Sequence, residues 1–177
     1  MSSANLIRLG GLSAILAGIL RAVASFLPST TPDLALDVLY LFTDVFILLG
    51  TMGLYGFQHE EIGLSGFLGF LLGIVGIGII IGRDVMIFGA NVYPVGALVF
   101  AGGLDLLAIG SLIAKKLPRW IPVFWIFSTL VGPIGYFVQG FGLLFVISGA
   151  MFGLSFAGAG ISVWSAASNQ LLRNHTR

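Results

Sequence analysis

Three residues that could do chemistry stand inside otherwise apolar runs of this chain: Arg21, Asp44 and Asp105. An ionisable side chain in hydrocarbon costs roughly 3 kcal/mol even on the mildest scale, so each needs a partner or a task. Asp37, Tyr40 and Asp44 follow i, i+3, i+7 spacing, and together with Thr43 they make a polar stripe entering one end of a helix. If the run carrying Arg21 folds back against the run carrying Asp44, the two reach similar depth and an ion pair is expected. Tyr40 or Thr43 would supply the further hydrogen bonds that a buried pair requires. The stripe reads as a clamp on a helical hairpin or as the lining of a solute path.

Asp105 is a separate case. It lies within Gly102-Gly103-Leu104-Asp105-Leu106-Leu107, with no basic residue expected at its depth. Ser128 and Thr129 reach similar depth on the next apolar run, so a neutral Asp105 hydrogen-bonded to one of them is the structural reading. A proton relay or cation-binding carboxylate is the functional reading. Pairing with Arg21 or Arg83 is a third.

The remaining polar groups carry less. Arg83-Asp84 reads as an interfacial pair with a snorkelling cation. His59-Glu60-Glu61 contains metal-ligand types, but adjacent residues of a solvated loop seldom converge on one ion, so no metal site is expected. His175 has no evident partner. Neither His falls inside an apolar run, which argues against bis-His haem, and no Lys does, which disfavours a retinal Schiff base. Without any Cys, thiol catalysis and iron–sulfur clusters are excluded. Both His fall away from the Asp residues, so no Ser-His-Asp arrangement is expected and the chain does not read as an enzyme. No cofactor is expected.

Composition defines the elements that must position these groups. Of 177 residues 58% are hydrophobic and 8% charged, and the mean hydropathy is +1.08; about a quarter of a soluble domain is charged. A helix needs roughly 20 apolar residues to cross about 30 Å of hydrocarbon. Six runs meet that length: 6–27, 38–57, 64–82, 94–114, 121–138 and 141–164. The expected fold is an all-α integral membrane protein, a single domain over 1–177 in which six transmembrane helices pair as three consecutive antiparallel hairpins. The first run reads as a span rather than a cleaved leader. Pro28-Ser-Thr-Thr-Pro-Asp33 reads as a connector in which Thr31, Pro32 and Asp33 begin the second helix.

Lys and Arg flanking spans stay on the cytoplasmic side. Arg8, Lys115, Lys116, Arg119, Arg173 and Arg177 fall on one side of a six-span chain, and only Arg21 and Arg83 toward the other. Both termini are therefore expected in the cytoplasm, and the chain in the plasma membrane. Trp120, Trp125 and Trp164 come out at the inner ends and Tyr40, Tyr93 and Tyr136 at the outer ends, as interfacial belts require. A net charge of +1 points to no nucleic-acid partner, leaving the lipid bilayer and other membrane helices.

Twenty-six glycines punctuate the runs. Gly69 with Gly73, Gly78 with Gly82, and Gly149, Gly153 and Ala157 have the small-xxx-small spacing of close helix contacts, within one chain or in a homo-oligomer or larger complex. Gly132-Pro133 removes a backbone hydrogen bond, so a break or kink is expected in the fifth run. Gly-Leu-Ser recurs at residues 11–13 and 63–65, and hairpins beginning near residues 6, 64 and 121 have the look of a repeat.

The stretches Leu9-Gly-Gly-Leu-Ser-Ala-Ile-Leu-Ala-Gly-Ile-Leu20 and Gly142-Leu-Leu-Phe-Val-Ile-Ser-Gly-Ala-Met-Phe-Gly153 resemble the Gly-spaced helices of small six-span bacterial membrane proteins of the HdeD type. The resemblance is one of Gly, Leu and Ile pattern and loop lengths over most of the chain. It implies a six-span fold in a bacterial inner membrane and an association with acid resistance, and it brings no catalytic signature. Two functions are then open. The first is a non-catalytic multi-pass protein, stress-related or an accessory subunit. The second is a small proton-coupled transporter or channel that would use Asp105, the Arg21/Asp44 stripe and the Gly132-Pro133 break. Scarce polar residues inside the spans favour the first.

Overall fold

Long apolar runs punctuated by short polar connectors can satisfy their backbone in a membrane only as helices. A computed structural model describes residues 3–27, 34–81, 86–87 and 89–175, with residues 3, 87 and 170–175 described by backbone alone. Six helices are present: α1 (Ser3–Ala24), α2 (Leu34–Gln58), α3 (Gly63–Ile80), α4 (Tyr93–Ala114), α5 (Trp120–Phe137) and α6 (Gly142–His175). All six are long and apolar enough to cross a membrane. Between α3 and α4, a two-residue ladder pairs β1 (Met86–Ile87) with β2 (Ala90–Asn91).

Chain neighbours pack antiparallel as the three expected hairpins, α1/α2, α3/α4 and α5/α6. A fourth extensive contact, α1 against α6, closes the six helices into a ring. The α2/α3 and α4/α5 seams are the least extensive contacts between helices adjacent in the chain. Small residues allow the tight ones. A Cβ at Gly103 would stand 2.9 Å from the Gly69 carbonyl oxygen, and one at Gly153 would stand 2.7 Å from the Ala22 nitrogen. The Gly69/Gly73 and Gly149/Gly153/Ala157 ridges are thus used within one chain, on α4 and α1 respectively. Gly78 meets nothing, and Gly82 lies outside the described residues.

The axis of the ring is filled by apolar side chains. Ile47, Leu54, Ile77, Leu104, Ala108, Ile121, Trp125, Phe152 and Phe156 belong to one buried cluster. Its aromatic members run from helix to helix, with Phe100 edge-on to Phe152 at 6.1 Å, Phe152 stacked on Phe156 at 5.2 Å, and Phe156 6.2 Å from Trp125.

Several sequence expectations need correction. The helix of α5 is not broken at Gly132-Pro133 but runs through to Phe137. One missing N–H is tolerated because the neighbouring turns are held against α6, where Gly132 admits the Ser148 hydroxyl at 2.7 Å from a would-be Cβ. Trp125 is no belt residue: it lies on the inward stripe Ile121–Trp125–Ser128 and is fully buried. The helix of α6 continues past Trp164 to His175, and α1 starts at Ser3. The proposed helix start at Thr31–Asp33 and the Arg83-Asp84 pair fall outside the described residues, as do the side chains of Arg173 and His175.

Candidate functional site

At one end of the bundle, polar and aromatic groups from three helices gather around Tyr93 of α4. The last turn of α1 brings Arg21 and Ser25 there, α2 brings Tyr40 and Asp44, and α5 brings Tyr136. Arg21, Asp44, Tyr40 and Tyr136 are all within electrostatic reach of the Tyr93 hydroxyl. Arg21 is also engaged on the side of α6. Its guanidinium donates to Ser25 Oγ at 3.3 Å and stands 5.9 Å from the Phe145 ring of α6. The reason lies in packing: α1 rests more extensively on α6 than on α2, and Gly149 leaves the room that Arg21 and Ser25 occupy. Ser25 Oγ in turn donates to the Arg21 carbonyl at 2.8 Å.

The rest of the stripe is divided. Thr43 is fully buried and spends its hydroxyl on the Leu39 carbonyl at 2.7 Å. Asp37, Tyr40 and Asp44 are half-buried. Ser25 and Phe145 were not singled out from sequence, although the i, i+4 spacing of Arg21 and Ser25 carries the signal, and Gly149 stood out there only as part of a small-residue ridge.

Midway along the bundle, Asp105 bridges the thin α4/α5 seam. Thr129 Oγ1 donates to Asp105 Oδ1 at 2.6 Å. The same oxygen lies 2.8 Å from the Ile126 carbonyl and 3.2 Å from that of Trp125. A hydroxyl carries one proton, so it cannot serve all three acceptors. A neutral Asp105 donating to Thr129, which then donates to Ile126, would satisfy every group; a carboxylate would take the Thr129 proton for itself. Ser128 does not join this bond: its hydroxyl donates to the Trp125 carbonyl at 2.8 Å, while its own carbonyl accepts from Ser148 Oγ at 2.8 Å.

Asp105 is half-buried and stands outside the apolar cluster of the axis. One turn back, Gly102 faces open space, and Leu98 and Ile109 on the same flank are exposed. A side chain on a helix covers the turn N-terminal to it, so the bare Gly102 leaves Asp105 accessible from the membrane side.

The opposite end holds an ion pair. Lys116, just after α4, meets Glu61 at 2.6 Å, donates to the Phe57 carbonyl at 3.3 Å and stands over the Phe57 ring. The α2–α3 connection thereby finds the basic partner it lacks in its own sequence. His59 Nδ1 lies 2.9 Å from the Gly56 carbonyl, and among the described residues no group of three or more His, Cys, Asp or Glu could hold a metal. Arg8 stacks on Trp164 at 4.5 Å.

Fold and site together define a multi-pass α-helical membrane protein whose polar groups lie at two ends and one seam around an apolar axis. No family model, curated protein or solved structure matches the chain.

Proposed function

We propose that the chain is a non-catalytic accessory component of a larger membrane assembly, seated in the plasma membrane with both termini on the cytoplasmic side. The observation that carries this reading is the position of Asp105, a half-buried carboxyl group in mid-span, open to the membrane beside a bare Gly102. A group so costly in lipid is retained where a neighbouring helix supplies a hydrogen bond, and a small residue beside it allows that helix to come close. The apolar axis supports the same reading, since it offers a polar solute no continuous set of ligands. The excess of Lys and Arg at the Lys116 end supports the orientation.

Affinity purification from native membranes tests the proposal. The protein should migrate in an assembly larger than one chain in its detergent micelle, and Asp105→Leu should release it while keeping its helicity. An unchanged assembly in Asp105→Leu, or a wild-type chain that is already monomeric, sinks the reading. A stress-related role, which the resemblance to HdeD-type proteins implies, adds a second readout: reduced survival of the Asp105→Leu strain at low pH.

The gathering of Arg21, Asp44, Tyr40 and Tyr136 around Tyr93 favours a second reading, proton-coupled transport. Reconstituted into liposomes under a pH gradient, such a protein would pass protons or solute, and Asp105→Asn and Asp44→Asn would stop it. Flux that is indistinguishable from empty liposomes removes this alternative.

A further inference from the structure

Charge is divided unevenly along this chain. None of residues 1–32 or 106–177 is acidic, so the carboxylates at the Lys116 end of the bundle are Glu60 and Glu61. Against them stand Arg8, Lys115, Lys116 and Arg119 among the residues whose side chains are described. Glu61 is taken by Lys116 at 2.6 Å, and Glu60 stands 4.0 Å from His59. Arg8 is half-buried on the Trp164 ring. That leaves Lys115 and Arg119, both exposed and neither paired with a carboxylate among the described residues.

Both cations belong to the connector between α4 and α5, whose two faces are sorted. Lys116 turns to Glu61 and the Phe57 carbonyl, and Leu117 enters the core cluster. Lys115, Pro118, Arg119 and Trp120 are exposed. Lys115 closes α4 in the left-handed region, at φ 55°, with its N–H on the Ser111 carbonyl. Gly or Asn is the usual residue in that conformation, and among the described residues Lys115 alone adopts a positive φ without being Gly. Trp120 lays its indole over Gly158 of α6, where a Cβ would stand 2.8 Å from Cζ2, yet stays 45% exposed. Such a ring suits the boundary between hydrocarbon and headgroups. The 22 residues of α4 make a helix about 33 Å long, close to the hydrocarbon thickness, so the connector emerges at the headgroup layer. Four residues apart, the Cα atoms of Lys115 and Arg119 are separated by at most about 15 Å, a span that two long side chains can close onto one phosphate.

We propose that Lys115, Arg119 and Trp120 form a docking site for the headgroup of an anionic phospholipid in the leaflet at the Lys116 end. Arg119 pairs with two phosphate oxygens in a fork, Lys115 adds a point charge, and the Trp120 ring rests at the top of the acyl chains. Ile113 and Val123, exposed just inside the membrane, give those chains an apolar wall. A zwitterionic lipid would bring its own cation to two unpaired ones, whereas an anionic lipid does not. The site holds for either orientation of the chain in the membrane and uses neither Asp105 nor a partner docked there.

The full chain, reconstituted in vesicles of equimolar phosphatidylglycerol and phosphatidylcholine, is released into micelles and its retained lipids are counted by native mass spectrometry. Wild type should retain phosphatidylglycerol in preference. Lys115→Asn/Arg119→Gln should weaken that preference about 25-fold, at about fivefold for each cation near an anionic surface. Asn suits the left-handed position at least as well as Lys, so the variant should melt no lower than wild type and lost lipid would not mean lost fold. Arg8→Gln, whose guanidinium is stacked on Trp164, should keep the preference. Equal retention of the two lipids by wild type overturns the proposal, as does a preference that survives in the double variant. A preference lost equally in Arg8→Gln overturns it too, by assigning the effect to the charge of that end as a whole. Inorganic phosphate that displaces the lipid better than NaCl of equal ionic strength would make the site one for free phosphate and overturn the assignment to a lipid. Should the double variant fail to fold by circular dichroism, Arg119→Gln alone decides, with about a fivefold loss expected and an unchanged preference overturning the proposal.

Discussion

The hydroxyl of Thr129 does more than its neighbours because it joins two helices. Removing it by Thr129→Val strips Asp105 of its donor from α5 and should lower stability by about 1 kcal/mol, in the range of interhelical hydrogen bonds in membranes. Thr129→Ser should restore most of that loss. Unfolding midpoints in mixed micelles measure both, and equal stability of wild type and Thr129→Val would show the bond to be idle. Ser128→Ala should leave the seam untouched, since Ser128 spends its proton on its own helix. Sequence spacing placed both hydroxyls at the depth of Asp105. It could not choose between them, because consecutive residues on a helix point about 100° apart and only the rotation of α5 decides which one faces α4.

Between helices, glycines that look alike in sequence divide into two kinds. A Cβ at Gly103 would be driven into Gly69 and Leu72 of α3, with the Leu72 carbonyl carbon 2.8 Å away, and backbone cannot step aside as a side-chain tip can. Gly103→Ala should therefore cost about 3 kcal/mol or prevent folding. Gly102→Ala, one residue away, meets open space and should be neutral or stabilise by about 0.5 kcal/mol through the loss of glycine's unfolded-state freedom. Thermal denaturation of the pair distinguishes the two, and similar midpoints would contradict the α3/α4 packing described. Retained assembly in Gly102→Ala is not expected if a partner helix lies against Asp105. Native electrophoresis of that variant gives the reading of Asp105 a check that does not touch the carboxyl group.

For the whole molecule, the single crossing made by α4 places the α3–α4 and α4–α5 connections on opposite sides of the bilayer. The absence of Cys makes a clean background for labelling. Ala90→Cys and Arg119→Cys, both exposed, should react with a membrane-impermeant maleimide in intact cells and only after permeabilisation, respectively. Labelling of both in intact cells would contradict the crossing of α4. The ring also predicts where it opens. The α2/α3 and α4/α5 seams are the thinnest between helices adjacent in the chain, so the α3–α4 hairpin should separate first, with amide exchange along α4 at Asp105 rising before exchange along the α1/α6 contact.

Hydrophobic content and segment length determined from sequence alone that there are six helices and that they pair as hairpins. Those properties are local: each run must span the hydrocarbon, and a short connector can only return the chain to the neighbouring position. The small-residue ridges at Gly69, Gly73 and Gly153 were equally legible, because close approach requires small side chains whichever helix is approached. Which helix is approached depended on the tertiary structure. Closure of α1 onto α6 joins segments from opposite ends of the chain, and no local pattern encodes that contact. It set Arg21 beside Ser25 and the Phe145 ring, and the assembled bundle left Asp105 at a thin seam with Thr129 as its donor. The physical reason is that a polar atom's partners on other helices are set by the rotation of every helix around it, which no local pattern encodes.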